Sequence, residues 1–431
     1  MPLMMITMHK KISLAMLVLF FMNLPLYAGV MKKYEAKYHI IYSDLPQEDV
    51  YEAISRVNAM AEQYHNRTKG FGGKITRKLP FFLYANYDDY QTAIGGQLAG
   101  SVGVYTGKEL RAAADSAKFS KEDVWHTVQH EGFHQFVDMV ITNGRHDVMP
   151  IWLNEGMAEY FGEAKWTGDK LIPGVVDTGK LFKKGKNLYK RSGRMQRVQE
   201  SIKDGKFKPF PRMVTMSHDA WNSQMDIANY DQAWSMVHFF VHAQDSAGNY
   251  KYRKKFQKYL ESVVKGNDNA KSFCRYLGSP TKLEREYNEW WLSWDKNPSQ
   301  DICDRILIET LVNFMSRADA VCKMKFQKAD DFFSAAKKDK IKIDSSRFRN
   351  LWLPQSLLDE AVSQAELNNR DCTWDVKREK GKTVFIMIHK DGSEVQCLYK
   401  TRGASLPLVK TTFISADDTG KKSKNADDDD D

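Results

Sequence analysis

The sequence predicts an α+β protein in which a small mixed sheet precedes a helical region and a further small α+β module closes the chain. Three observations carry this. Apolar runs with strand character at 38–42, 79–84 and 102–105 surround one stretch of helical spacing at 50–64. From 119 to 296 the periodicity is predominantly helical, broken at Asn143-Gly144 and Pro150. Beyond Asn297-Pro298 two helical stretches lead into a β-rich segment at 372–401. The expected divisions are a leader at 1–28, the α/β part at 29–118, the helical part at 119–296, the C-terminal module at 297–415 and an acidic tail at 416–431.

Lys10 and Lys11 precede an apolar run from Ile12 to Phe21, and Leu26-Tyr27-Ala28 offers a small residue before Gly29. That order matches an export signal, and the run is short for a membrane span. The expected location is therefore periplasmic or extracellular. A net charge of +9 over 431 residues is modest. With export it argues against nucleic acid as a partner and leaves contact with an anionic cell envelope open. Five cysteines, at 274, 303, 322, 372 and 397, lack metal or redox spacing. Being odd in number they leave at least one without an intramolecular partner, with Cys372 and Cys397 a plausible pair.

In the α/β part, Tyr38–Tyr42 and Leu79–Tyr84 read as strands, and Val50–Tyr64 repeats Ile54, Val57, Met60 and Ala61 at helical spacing. Glycines bracket Val102, Gly103, Val104 and Tyr105, a short strand just ahead of the next helix. That helix begins near Ser120 and Asp123, which resemble a capping box, and carries His130-Glu131-Gly132-Phe133-His134. Two histidines one turn apart face the same side and can reach one zinc ion, with Glu131 beside the open coordination position as general base. His126 extends the row; it reads as a nearby imidazole. Asp138 reads as a solvated or capping charge.

A catalytic zinc takes three protein ligands, so one more is needed downstream. Trp152-Leu153-Asn154-Glu155-Gly156-Met157-Ala158-Glu159-Tyr160 supplies Glu155 on a second helix. With both motifs in this order the chain resembles the gluzincin metallopeptidases, and among them the peptidase-MA-like group of secreted bacterial proteins. The resemblance covers roughly residues 38–295. It implies a zincin-like fold, one zinc ion held by His130, His134 and Glu155, and a peptide or protein substrate. It also implies Asn154 as partner of one histidine and Glu159 as partner of the other. By the same resemblance, Ser101–Tyr105, with Val102–Tyr105 as its strand, borders the cleft and pairs with extended substrate; otherwise it is a plain structural strand. The Gly-x-Met-Glu-Asn motif of the aminopeptidases is missing, which favours an endopeptidase or an activity independent of a free amine.

Lys180 to Arg197 is basic and glycine-punctuated, a solvated loop by default and a substrate- or envelope-facing patch on the sharper reading. Tyr230 opens a helix expected to run through Ala243. Resemblance gives its phenol the role of holding an oxyanion; otherwise it is an aromatic packed beneath the site. Asp231 reads as a cap, His218 as a cap or substrate contact, and His238 with His242 as structural. Trp290, Trp291 and Trp294 suit a core or an interface. Ile302–Ala336 and Leu351–Leu367 read as helices, and Thr383–His389, Asp391-Gly392 and Glu394–Tyr399 as a hairpin with a type I′ turn.

The expectation is an exported zinc metallohydrolase acting on peptide bonds. Its rivals are an exported binding protein with a structural or vestigial zinc and an envelope-associated adaptor. Oligomeric state is not legible.

Overall fold

The computed structural model describes residues 30–417 apart from 69–72, 97, 99, 146–147, 178, 185–186, 225, 344–350, 369–370, 380–381 and 403–404. The leader expected at 1–28 and nearly all of the acidic tail lie outside the described residues. The architecture is mixed α+β, as the sequence predicts.

Strands β1 (Lys32–Glu35) and β2 (His39–Ser43) lead to helix α1 (Gln47–Arg67), then β3 (Leu79–Tyr84), helix α2 (Tyr87–Ala93), β4 (Gly103–Tyr105) and β5 (Leu110–Ala113). They form a five-stranded sheet ordered β1-β2-β3-β5-β4. Neighbours β2, β3 and β5 run parallel, whereas β1 and β4 are antiparallel edges. Residues alternate between core and periphery along β2, where Ile41 is buried and Ile40 and Tyr42 only partly so.

Helix α3 (Lys121–Phe136) continues into a π-helical turn, Val137–Thr142, which ends at Asn143 in the left-handed region (φ 52°). Helix α4 (Ile151–Gly162) follows, then the small hairpin of β6 (Lys165–Trp166) and β7 (Leu171–Ile172). Strands β8 (Gly179–Lys184) and β9 (Asn187–Ser192) pair as a second hairpin, so the basic stretch expected as a loop is largely strand. Helices α5 (Arg194–Lys203), α6 (Phe210–Val214), α7 (His218–Ser223), α8 (Ile227–His242), α9 (Arg253–Val264), α10 (Asn269–Tyr276) and α11 (Pro280–Leu292) complete this region.

The C-terminal module holds α12 (Gln300–Cys322), α13 (Ala329–Lys337) and α14 (Gln355–Asn368) against an antiparallel sheet of β10 (Cys372–Glu379), β11 (Lys382–His389), β12 (Glu394–Arg402) and β13 (Ser405–Ile414). The single helix expected over 302–336 is two, parted where Lys323 turns left-handed (φ 56°). The β11–β12 hairpin is present with Gly392 at positive φ, but Asp391 is not, which excludes a type I′ turn. The module is hooked onto the β6–β7 hairpin: α12 places Asn313 on the Thr167 carbonyl, Arg317 on the Gly168 carbonyl and Glu309 against Lys170. One cluster of buried apolar side chains extends from Ala36 to Val409.

All five cysteines are free. Cys372 on β10 faces His389, and Cys397 on β12 faces Phe385, so β11 lies between them and the suggested pair is not formed. No described helix is long and apolar enough to cross a membrane.

Candidate metal centre

Helix α3 starts where the Ser120 hydroxyl accepts from the Asp123 amide. Val124, Val128, Phe133 and Phe136 are buried beneath it, leaving His130, Glu131 and His134 only partly buried. Two contacts seat it. A side chain at Gly132 would place its Cβ 2.7 Å from Met60 Cε, so glycine lets α1 approach. Buried Gln129 donates to the carbonyls of Phe161, Gly162 and Ala164 at and just past the end of α4.

His130 Nε2 lies 3.1 Å from His134 Nε2, and Glu155 Oε2 lies 3.4 Å from the first and 3.6 Å from the second. Four tetrahedral ligands about 2.1 Å from a zinc ion stand roughly 3.4 Å apart, so this spacing and this donor set fit zinc. Burial by itself would raise the Glu155 carboxyl, but the charge of His134 and hydrogen bonds from both imidazoles hold it at about 2. Burial works against protonation of His130, yet Glu155 and Glu159 carry its pKa well above the usual value.

Glu159, one turn past Glu155, sets Oε1 3.1 Å from His130 Nδ1, as expected of a residue that orients a ligand. The matching bond from Asn154 is not made: its Oδ1 and His134 Nδ1 are both buried without a hydrogen-bond partner. His126 stays out of the triad, its Nε2 3.7 Å from Glu163 Oε1 and 3.9 Å from Glu159 Oε2.

Arg194 is the residue the sequence does not announce. Its Nη1 is 2.6 Å from Glu159 Oε2 and 3.2 Å from Glu163 Oε1, while Nε donates to Asp231 Oδ1 at 2.8 Å. Asp231 also accepts from Arg197 Nε at 2.8 Å, and is therefore a buried ion-pair partner instead of a cap; Asp226 caps α8. Burial would raise the Glu159 carboxyl, but the charge of Arg194 and the bond to His130 hold it well below the carboxylate range.

Tyr230 is half-buried one turn into α8, edge-on to Trp221 at 5.2 Å. Burial pushes its phenol pKa up, and the charges of Glu155, Glu159 and Glu131 push it further. Strand β4 is an edge strand, and the Tyr105 amide donates to Glu131 Oε2 at 2.8 Å. Val102 sits just before it and accepts from the Ala113 amide; Val104 is paired with Arg111. Asp138 is buried, not solvated, and accepts from the Tyr105 hydroxyl at 2.6 Å.

His218 begins α7 and lines a cleft of about 600 Å³ at the start of α4, with Arg145, Thr215 and Asn269. His238 and His242 are packed among Tyr160, Trp234 and Trp291, away from the triad. Trp291 is fully buried in the same cluster, where Trp290 packs on His238.

A family model described as a protein of unknown function (DUF1570) matches residues 124–259, the stretch from α3 to α9. No curated protein and no solved structure gives a significant match.

Proposed function

We propose that the chain is an exported zinc-dependent hydrolase of peptide bonds, with a zincin-like catalytic region formed by the five-stranded sheet and the helices that follow. One observation carries the reading. Three donors suited to zinc converge at tetrahedral separations, and the carboxylate next to the first of them is held by the amide of an edge strand.

His130, His134 and Glu155 would hold the ion. Among the described residues their cluster has three members, where a structural zinc normally has four. Zinc bound there would supply a Lewis acid that makes water acidic near neutral pH and polarises a carbonyl. Glu131 takes the proton as water attacks the peptide carbonyl and returns it to the leaving amine. The Tyr230 phenol, kept protonated by its surroundings, donates a hydrogen bond to the developing oxyanion. Gly103–Tyr105 runs beside the substrate backbone, which an extended peptide can join as a further strand. Export rests on the leader pattern of residues 1–28.

The test is Glu131→Gln in the zinc-loaded mature chain. It should keep stoichiometric zinc and lose turnover of an unstructured protein substrate by about 10²–10⁴-fold, the range for a general base. Parental turnover in the zinc-bound variant, or a wild-type protein that takes up no zinc, would refute the reading.

A further inference from the structure

The helices that carry the three donors also carry a buried charge network that the proposed chemistry leaves unused. His126, Glu159 and Glu163 stand close enough to hold an ion of their own. A cation is already among them. Arg194 reaches Glu159 Oε2 and Glu163 Oε1 at 2.6 and 3.2 Å, and a guanidinium keeps its charge at any physiological pH. A second divalent ion in that place would face this fixed positive charge.

Arg194 is 5% exposed and its guanidinium lies 4.7 Å over the Trp234 ring. It spans two helices, gripping Glu159 of α4 on one side and Asp231 of α8 on the other. The Glu159 carboxylate is thereby divided. Oε2 is taken by Arg194, and Oε1 is left to His130 Nδ1 at 3.1 Å. Without the guanidinium the carboxylate is free to turn toward His126, whose Nε2 is 3.9 Å from Oε2.

We propose that Arg194 is a positioning residue of the metal centre, fixing Glu159 so that His130 presents Nε2 toward His134 and Glu155. The inference deepens the zinc reading and rests on it. Arg194 touches neither ion nor substrate and acts through Glu159. The same grip on Asp231 ties the helix of Tyr230 to the ligand helix.

The experiment is a double-mutant cycle on the mature full chain, with zinc affinity read by competition against a chromogenic chelator. Its proteins are wild type, Arg194→Met, Glu159→Gln and the double variant, with melting curves recorded alongside. Arg194→Met should bind zinc about tenfold more weakly, within the 10–100-fold typical of lost ligand-orienting contacts. The double variant should bind no more weakly than Glu159→Gln alone. Arg194→Lys should recover part of the loss, because one ammonium keeps the charge but cannot reach three carboxylates together. Should Arg194→Met not fold, the same cycle with Arg194→Lys decides the matter by the same non-additivity.

Affinity within twofold of wild type, or losses that multiply in the double variant, would overturn the role of Arg194. A wild-type chain that takes up no zinc overturns the metal centre itself, and this inference with it.

Discussion

The Tyr105 amide donates to Glu131 Oε2 at 2.8 Å, so the outermost strand of the sheet holds the carboxylate proposed as general base. Bonds from Ala113 N to the Val102 carbonyl and from Thr106 N to the Glu109 carbonyl turn the backbone groups of Gly103 and Tyr105 away from β5. That side is where an extended substrate would pair. Ser101 Oγ already occupies Gly103: it accepts from the amide and donates to the carbonyl.

An arriving peptide must therefore displace Ser101. Ser101→Ala removes the competitor and should lower KM for an extended peptide by roughly 2- to 10-fold, the worth of about one hydrogen bond. Turnover should change little, since Glu131 keeps its contact with Tyr105. Steady-state kinetics on one peptide measures both parameters, and an unchanged or higher KM counts against substrate pairing at β4.

Tyr230→Phe separates chemistry from packing. The ring would still rest on Trp221, while the hydroxyl proposed as oxyanion donor would be gone. Loss of one oxyanion donor costs about 10²–10³ in kcat. The variant should show that loss with zinc content and KM close to wild type. A kcat within threefold would make Tyr230 an aromatic support and nothing more.

The convergence of the three candidate donors was legible because its information is local. His130 and His134 are one helical turn apart, as are Glu155 and Glu159, so spacing on two helices fixes which side chains share a face. Arg194 was not legible, because its partners Glu159 and Asp231 come from other helices and its own neighbourhood reads as a basic loop. Asp138 was misread for the same reason: its partner, the Tyr105 hydroxyl, lies 33 positions earlier. Strand β5 escaped notice because Leu110-Arg111-Ala112-Ala113 has no alternation; its place is set by β3 and β4 on either side. In the C-terminal module the Asp-Gly dipeptide located the β11–β12 hairpin but not its turn, since Asp391 adopts an ordinary φ.

Gly156 tests how closely the ligand helix must sit on the Tyr230 helix. A Cβ there would fall 2.5 Å from the Ala233 carbonyl oxygen, backbone that cannot swing aside, and 2.9 Å from the side-chain Cγ2 of Val237. Gly156→Ala must part α4 from α8. Overpacking of this kind costs about 1–3 kcal/mol. Because Glu155 precedes Gly156, zinc affinity should fall along with Tm. Calorimetry with and without zinc reads both quantities; a variant matching wild type in both would mean that the two helices need not touch.

Acid should weaken the fold through its buried imidazoles. His39 on β2 is 1% exposed with Nδ1 unpartnered, and burial lowers its pKa from the usual 6.5 to about 3. Burial likewise lowers His238 to about 4, partly opposed by its bond to the Gly174 carbonyl. Between these values and 6.5 the unfolded chain binds protons that the folded chain refuses. Stability contributed by the neutral imidazoles is thus complete above pH 6.5 and is lost as pH falls toward 4 and then 3. Each adds up to about 1.4 kcal/mol per pH unit to the slope. His39→Leu should flatten the dependence of unfolding free energy on pH between 6 and about 4.5 by close to one proton, as read from urea unfolding at several pH values. An unaltered slope would show that His39 already binds its proton in the folded chain.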